Sequence, residues 1–257
     1  MKSILLITAT SLLMCACNQK NKSSMPTDLA QENLKGKVQE VETESYTADS
    51  LGKIGAIDSC CTYIEQLDKD GYTNKYITKD GKGNVKSEQS FVHDENGMMK
   101  EMTTMANGKK TSSLKLELKD GKYVLATSFD STGKMDSYYS NITQNENGQV
   151  TGATQYKPDS TLKMSFTNAF DKMYYSGGTS KDSTGKLTYS STIKLNDKND
   201  QDQLTETTVN KDSSKTTVTT YKYDTWDDQG NWTQQTSYND KGKIAKVIKR
   251  KITYYKQ

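Results

Sequence analysis

The stretch Trp226-Asp227-Asp-Gln-Gly230-Asn-Trp232 decides the fold, because it is one copy of a turn signature that recurs through the chain. The signature is Asp or Asn, two variable residues, Gly, a usually polar residue and then an apolar residue. Asp or Asn at the first position of a type I turn caps the turn, and the Gly supplies the positive φ of the bulge that closes a β-hairpin. Seven further copies begin at Asp49, Asp80, Asp94, Asp130, Asn145, Asp182 and Asn239. The sequence therefore predicts a string of hairpins.

The turn geometry also predicts which residues face each other across a hairpin. The residue before the Asp is expected opposite the residue five positions after the Asp. The expected pairs are Trp226 with Trp232, Phe129 with Met135, His93 with Met99, and Tyr238 with Ile244. Because the later position is apolar in all eight copies, we expect it to mark the buried face of the sheet.

Strand and turn alternate from Lys37 to Tyr255 without a clear linker, and degenerate turns between the full copies bring the total to about fourteen strands. The 16 Tyr and the many Thr favour strands, and the presence of only 2 Pro fits unbroken ladders. We predict an all-β fold, a tandem antiparallel β-hairpin meander that forms a long twisted or curled sheet. Since open sheets of this size usually curl, split or close, the alternatives are a barrel or half-barrel and two packed sheets.

The N-terminus has the features of a bacterial lipoprotein signal. Lys2 supplies a charged start, and residues 4–14 form an apolar run that is too short to span a bilayer as a stable helix. The small Ala16 precedes Cys17, as in a lipobox, although Met14 stands where Leu is usual. We therefore predict that Cys17 becomes the first residue of the mature protein and carries the lipid. An ordinary cleaved signal with an incidental Cys is the alternative.

Three segments follow from this interpretation. Residues 1–16 are the lipoprotein signal peptide, residues 17–36 a tether and short N-terminal segment, and residues 37–257 the β-hairpin repeat domain. Thr27 is a suitable cap for a short helix before Gly36. The expected location is the bacterial cell envelope, with the chain anchored by its lipid to the outer membrane, on the periplasmic or the surface face.

Turn copies with an aromatic residue before the acid resemble YD (RHS-type) repeats; examples are Phe129-Asp130-Ser-Thr-Gly133 and Tyr238-Asn239-Asp-Lys-Gly242. The wider layout is similar to Bacteroidetes lipoproteins of unknown function, with a lipobox, hairpin repeats and a terminal Arg250-Lys-Ile-Thr-Tyr-Tyr255. Large RHS proteins form closed shells around a toxin, but this chain is too short for a shell. The resemblance implies an envelope-anchored β-repeat module.

Few residues suggest catalysis. The single His excludes mechanisms that need two imidazoles, no Gly-x-Ser-x-Gly motif is present, and most Asp residues are explained as turn caps. We predict no enzymatic activity, no catalytic residues, no metal site and no cofactor. Cys60 and Cys61 are neighbours that point to opposite faces of a strand, so we expect a free or loosely oxidised pair, with a redox or partner-linking role as the alternative.

The aromatic residues of the last hairpins carry the best binding hypothesis. They are either core or a stacking platform for a sugar or peptide, and they are Trp226, Trp232, Tyr238, Tyr221 and Tyr223. With a net charge of +3 and no basic block, nucleic acid is not an expected partner. The favoured function is a noncatalytic, lipid-anchored binding or scaffold protein with a protein or glycan partner. The alternative is a periplasmic carrier or chaperone that holds an apolar molecule in a curved sheet.

Overall fold

The computed structural model describes residues 26–49, 53–210 and 213–256, without the side chains of residues 59 and 60. Cys17 and the signal segment lie outside the described residues. One short helix, α1 (Asp28–Gln31), precedes sixteen strands. The strands are β1 (Val38–Ala48), β2 (Ile54–Leu67), β3 (Thr73–Lys79), β4 (Val85–His93), β5 (Met99–Ala106), β6 (Lys109–Lys119), β7 (Lys122–Asp130), β8 (Met135–Gln144), β9 (Val150–Tyr156), β10 (Leu162–Asp171), β11 (Tyr174–Asp182), β12 (Leu187–Leu195), β13 (Gln201–Val209), β14 (Ser214–Trp226), β15 (Trp232–Tyr238) and β16 (Ile244–Tyr254).

Every strand pairs antiparallel with the next one along the chain, and β16 pairs with β1 to close a barrel. The all-β hairpin meander is therefore confirmed, and the sheet takes the predicted alternative of a barrel instead of staying open. Closure is favourable because it leaves no strand edge unpaired. Sixteen strands form where about fourteen were expected. Among the described residues, no helix is long and apolar enough to cross a membrane.

The hairpin turns have the predicted hydrogen bonds. In the turn that starts at Asp80, the Asp80 carboxylate accepts the backbone N–H groups of Lys82 and Asn84, both at 2.9 Å. Gly83 has a φ of 82° and donates its N–H to the Asp80 carbonyl. The four predicted cross-hairpin pairs are confirmed, since Trp226 faces Trp232, Phe129 faces Met135, His93 faces Met99 and Tyr238 faces Ile244.

The expectation that the fifth position after the Asp marks the buried face is wrong for three of the eight turns. Met99 and Val150 are 1% and 0% exposed, whereas Ile54, Val85 and Met135 are 38 to 41% exposed. The reason is the alternation of the meander, which places successive turns at opposite ends of the barrel. The turns before Met99 and Val150 lie at the end that the N-terminal segment covers, and the other three lie at the uncovered end.

Residues 26–37 form a plug across the covered end, and α1 is its first turn. Thr27 caps α1 as predicted, accepting a hydrogen bond from the Ala30 N–H. The plug is bound to the turns at this end through Leu29, whose N–H donates to the Gly71 carbonyl, and through Lys35, whose N–H donates to the Asn231 side-chain oxygen at 2.8 Å. The plug therefore connects strands that are distant in the meander.

The interior is filled unevenly. Strands β5 to β10 contribute the larger core cluster, which is Met98, Met99, Met102, Leu114, Leu116, Tyr123, Ala126, Tyr139, Val150, Ala153 and Phe166. A smaller cluster of Leu34, Val38, Val41 and Leu67 joins the plug to β1 and β2. A cavity remains inside the barrel, lined by the plug, β1 and β11 to β16.

Candidate functional site

The cavity has a volume of about 460 Å³ and lies beneath the plug. Its roof is formed by Gln31, Glu32 and Asn33. Its wall comes from β1, from β11 to β16 and from the turn before β13. The lining residues are Thr43, Tyr174, Tyr175, Ile193, Leu195, Asn199, Asp200, Gln201, Tyr221, Tyr223, Trp232, Gln235, Ile248 and Arg250. Aromatic, aliphatic and charged side chains therefore line one partly open space. The wall is therefore more polar than that of a typical small-molecule site, in which a few polar groups stand in a mostly apolar lining.

Arg250, the single arginine of the sequence, stands in this wall. Its guanidinium carbon lies 3.7 Å from the centre of the Trp232 ring, a cation–π contact. Burial lowers the pKa of the guanidinium, and the neighbouring Glu32 and Glu65 act in the opposite direction. Within the described part of the chain Arg250 forms no salt bridge, and its buried Nε has no hydrogen-bond partner. A buried donor thus faces the cavity without an acceptor.

Asp200 supplies the matching acceptor. It is 7% exposed, and its Oδ1 accepts a hydrogen bond from the Asn33 side-chain amide at 2.8 Å. Its other oxygen, Oδ2, is buried and has no hydrogen-bond partner. The Asn196 side chain fixes the Asp200 backbone by accepting its N–H at 3.0 Å. The plug therefore holds one carboxylate oxygen and leaves the second one available.

Three aromatic rings stand close together beside Arg250. The Tyr223 ring is 5.5 Å from the Trp232 ring and 5.8 Å from the Trp226 ring. The Tyr223 hydroxyl donates to the Gln201 carbonyl at 2.7 Å, which fixes the position of its ring. Burial raises the pKa of Tyr221 to about 12.

The structure places the sequence-predicted binding residues in three different situations. Trp232, Tyr221 and Tyr223 line the cavity together. Trp226 contacts Tyr223 but lies next to the turn, with the Lys198 ammonium 4.2 Å from its ring centre. Tyr238 ends β15 at the opposite end of the barrel and does not line the cavity.

Sequence reasoning missed Arg250, Asp200 and the plug residues. A chain of many lysines with a single arginine contains one usable signal, because arginine is preferred over lysine for buried and stacked positions. Asp200 could not be predicted, because the acidic stretch from Asp197 to Asp202 also has the composition of an ordinary solvated turn. Cys61 is disulfide-bonded. Residues 26–49, 53–210 and 213–256 hold no group of three or more His, Cys, Asp or Glu side chains that could bind a metal ion.

No protein-family model matches the sequence, and no curated protein matches it. Among solved structures, a porin-like protein from Bacteroides vulgatus ATCC 8482 aligns with a TM-score of 0.35 at 10% identity, over 86% of this chain and 100% of that chain. The TcdB2–TccC3 structure aligns with a TM-score of 0.31 at 13% identity, over 72% of this chain and 10% of that chain. Likenesses this weak carry no argument. A porin-like protein from Bacteroides uniformis ATCC 8492 aligns with a TM-score of 0.54 at 13% identity, over 84% of this chain and 96% of that chain, and it shares the fold.

Proposed function

We propose that this chain is a noncatalytic, lipid-anchored protein of the cell envelope that holds a small, neutral, hydroxyl-rich ligand inside its barrel, such as a monosaccharide or disaccharide. One observation carries the proposal. The cavity beneath the plug contains a buried donor, Arg250 Nε, and a buried acceptor, Asp200 Oδ2, neither of which has a protein partner. An unsatisfied buried polar group costs about 1–3 kcal/mol, so a ligand that pairs with both recovers that energy.

Hydroxyl groups fit both atoms, because a hydroxyl donates one hydrogen bond and accepts others. The rings of Trp232, Tyr221 and Tyr223 offer apolar surface for the carbon skeleton of a sugar. A cavity of about 460 Å³ lies within the usual range for small-molecule sites.

The charges of the wall favour a neutral ligand. An anionic ligand at Arg250 meets the carboxylates of Asp200 and Glu32, and a cationic ligand at Asp200 meets the guanidinium. A purely apolar ligand leaves both buried polar atoms without partners. For the same reason the alternative of a carrier for apolar molecules is less well supported.

The polarity of the strands supports a binding role over that of a channel. In transmembrane β-barrels, outward-facing side chains form an apolar band and the lumen is polar. On β14 the exposed positions include Lys215, Lys222 and Asp224, while Tyr221 and Tyr223 face the cavity. On β14 the inward side is therefore the more aromatic one, and the plug covers one end of the barrel.

The lipid anchor is supported by the sequence around Cys17. We expect Cys17→Ala to leave the precursor unprocessed or to release the protein from membranes, since that cysteine is the acceptor for the lipid. Metabolic labelling with a radioactive fatty acid, followed by membrane fractionation, measures both effects. Unchanged membrane attachment and an undiminished acyl label in the variant contradict the anchor.

Ligand binding is tested by native mass spectrometry and by tryptophan fluorescence. Protein purified from native envelopes should carry a bound neutral species whose mass fits a small saccharide. Titration with that species should change the fluorescence saturably, because one of the two Trp residues lines the cavity. Arg250→Met should abolish the change without lowering the melting temperature, since a buried cation without a salt bridge adds little stability.

Lys249→Met is the matched control, because Lys249 is the neighbouring cation on β16 and stacks on Tyr46 instead of lining the cavity. It should bind the ligand as the unaltered protein does. Binding of the apolar probe N-phenyl-1-naphthylamine, with no bound saccharide, supports the carrier alternative. Absence of any bound species and of any response to that probe contradicts a ligand-binding lumen.

A further inference from the structure

The two ends of the barrel carry opposite charge. Because turns alternate between the ends, every second turn lies at the end that the plug leaves uncovered. We call this end the lysine rim, and define it as the turns that follow β1, β3, β5, β7, β9, β11, β13 and β15, each with two flanking residues on either side. The described rim carries fourteen lysines, which are Lys53, Lys79, Lys82, Lys86, Lys109, Lys110, Lys134, Lys157, Lys163, Lys181, Lys186, Lys215, Lys241 and Lys243.

Acidic residues on the rim are half as many and belong to a single type. They are Asp49, Asp80, Asp130, Asp136, Asp159, Asp182 and Asp240. At the plugged end the balance is reversed, since the turns there, taken with the same flanks, hold twelve acidic residues and seven lysines. A net charge of +3 for the whole chain therefore conceals a strong separation of charge along the barrel axis.

Most rim aspartates are occupied by their own turns. The Thr132 hydroxyl and the backbone N–H groups of Thr132 and Lys134 donate hydrogen bonds to the Asp130 carboxylate, and these hydrogen bonds lower its pKa. Within the described rim, Lys–Asp pairs are long, at 3.8 Å for Lys86 with Asp80 and 3.9 Å for Lys163 with Asp136. The ammonium groups of Lys86 and Lys163 are therefore only weakly paired with these carboxylates.

Exposed apolar side chains stand among these lysines. Five large apolar residues of the described chain are markedly exposed, and three of them, Ile54, Val85 and Met135, begin strands at the rim. Their exposed fractions are 38%, 41% and 40%. Lysines interspersed with exposed apolar side chains are typical of surfaces that bind at the membrane interface.

We propose that the lysine rim docks the barrel end-on against an anionic phospholipid bilayer. Each lysine near such a surface is attracted by lipid phosphates, and the exposed apolar side chains reach the boundary between headgroups and acyl chains. A ring of turns at one end of a barrel matches a flat surface better than a linear polyanion. The apolar side chains also favour lipid over a polysaccharide or nucleic acid.

The test compares the full chain and two charge variants on vesicles. The rim variant carries Lys82→Glu, Lys134→Glu and Lys243→Glu, which are exposed turn positions. The control variant carries Lys69→Glu, Lys119→Glu and Lys122→Glu, which are exposed lysines at the plugged end and give the same change of net charge. Sedimentation measures partition into vesicles of phosphatidylglycerol and phosphatidylethanolamine and into vesicles of phosphatidylcholine. The ratio of the two partition coefficients cancels the contribution of an N-terminal anchor shared by all three proteins.

We expect the ratio for the unaltered protein to exceed about tenfold at low salt and to approach one at 0.5 M salt, because screening removes exposed charge interactions. The rim variant should lose that preference, and the control variant should keep it. A second variant, Val85→Ser with Met135→Ser, should weaken binding at both salt concentrations. Circular dichroism verifies that each variant is folded.

Two results overturn the proposal. Equal losses in the rim and control variants mean that net charge alone acts. The second result is that the protein binds polygalacturonate, a soluble anionic polysaccharide, through the rim but shows no preference for anionic vesicles. The partner of the rim is then an anionic polymer and not a bilayer. Both results leave the cavity and its ligand untouched, so they are separate from the proposed function.

Discussion

At the residue scale, two turns of the same sequence type have different tolerance for substitution. Gly97 and Gly83 both follow the Asp-x-x-Gly pattern, with φ values of 79° and 82°. A Cβ added at Gly97 lies 2.4 Å from the buried Tyr72 ring, whereas a Cβ at Gly83 meets nothing within 4 Å. The tolerance of the turn glycine for substitution therefore depends on packing at the covered end of the barrel and cannot be judged from the turn sequence alone.

We expect Gly83→Ala to cost about 1 kcal/mol, which is the penalty for a side chain in the left-handed region. Gly97→Ala should cost about 3 kcal/mol, because the Tyr72 ring must also move. Urea unfolding of both variants measures the difference. Equal losses of stability show that the plugged end is not tightly packed around this turn.

The cross-hairpin pairs could be predicted from sequence because the Asp cap and the Gly bulge are local hydrogen-bonded structures. The exposure of the following apolar residue could not, because it depends on which end of the barrel holds the turn. A signal is present in the residue after the Gly. That signal is partial: the residue is Met98 or Gln149 in two turns at the plugged end and Lys134 or Lys243 in two turns at the rim, but it is Asn at both ends, as Asn231 and Asn84 show.

At the element scale, the plug is held by side chains that other turns do not use in this way. Asn231 follows Gly230 and binds residue 35 twice, accepting its N–H at 2.8 Å and donating to its carbonyl at 2.9 Å. Asn84 follows Gly83 in the same turn type at the rim, where it bonds only Asp80 among the described residues. The two Gly-Asn turns therefore form a matched pair.

We expect Asn231→Ala to destabilise the docked plug by about 2–3 kcal/mol. Asn231 is only 3% exposed, so the substitution removes buried hydrogen bonds and leaves the backbone N–H and carbonyl of residue 35 without partners. Hydrogen exchange of residues 27–37 should become faster while the strands stay protected. Asn84→Ala is the control and should leave exchange in the plug unchanged. Faster exchange in every strand of Asn231→Ala indicates global unfolding instead of plug release.

The plug also makes stability depend on pH. Glu65 on β2 is 8% exposed; burial and then the charge of Glu32 raise the pKa of its carboxyl well above the ordinary value. Asp28 adds to the same shift. The unfolded chain therefore loses this proton at a lower pH than the folded chain, and stability falls as pH rises from the ordinary glutamate pKa through the raised one.

Glu65→Gln should remove this loss, because an amide does not ionise. We expect the melting temperature of the variant, relative to that of the unaltered protein, to increase as the pH is raised from 4 to 8. Scanning calorimetry measures this difference. The exposed Glu117→Gln serves as control. A constant difference between the melting curves across this range contradicts the buried, protonated state of Glu65.

The helix of the plug was predicted from its Thr27 cap, but the function of the segment was not. Its partners lie in turns far along the chain, such as Gln149, whose side-chain amide donates to the Gln31 side chain at 2.9 Å. Contacts between residues this far apart in the sequence leave no periodic pattern from which they could be predicted. The same is true of Asp200 and Arg250, whose meeting at one cavity is likewise not marked by a periodic pattern in the sequence.

At the scale of the whole molecule, the sequence predicts neighbouring pairs but not closure. Each hairpin specifies its own register, whereas the pairing of β1 with β16 joins opposite ends of the chain. That pairing depends on the accumulated tilt and stagger of every strand between them. The segregation of charge between the two ends depends on the alternation of successive turns between those ends. A chain with balanced local charge therefore forms a barrel whose two ends carry opposite net charge.

Closure should therefore be the late step of folding, because contacts between chain ends cost the most loop entropy. Val41, 3% exposed, lies between β2 and β16, where it faces Glu65 and Ile252. Leu116, 7% exposed, belongs to the core cluster formed by β5 to β10. Val41→Ala and Leu116→Ala should each cost about 2–3 kcal/mol.

The two variants should differ in kinetics. Val41→Ala should accelerate unfolding and leave the main refolding rate unchanged, since its contacts form after the rate-limiting step. Leu116→Ala should slow refolding, because its hairpins are local and form early. Stopped-flow Trp fluorescence after denaturant jumps measures both rates. If Val41→Ala slows refolding as much as Leu116→Ala does, the ends of the chain meet before the central hairpins are packed, and the barrel closes first and fills afterwards.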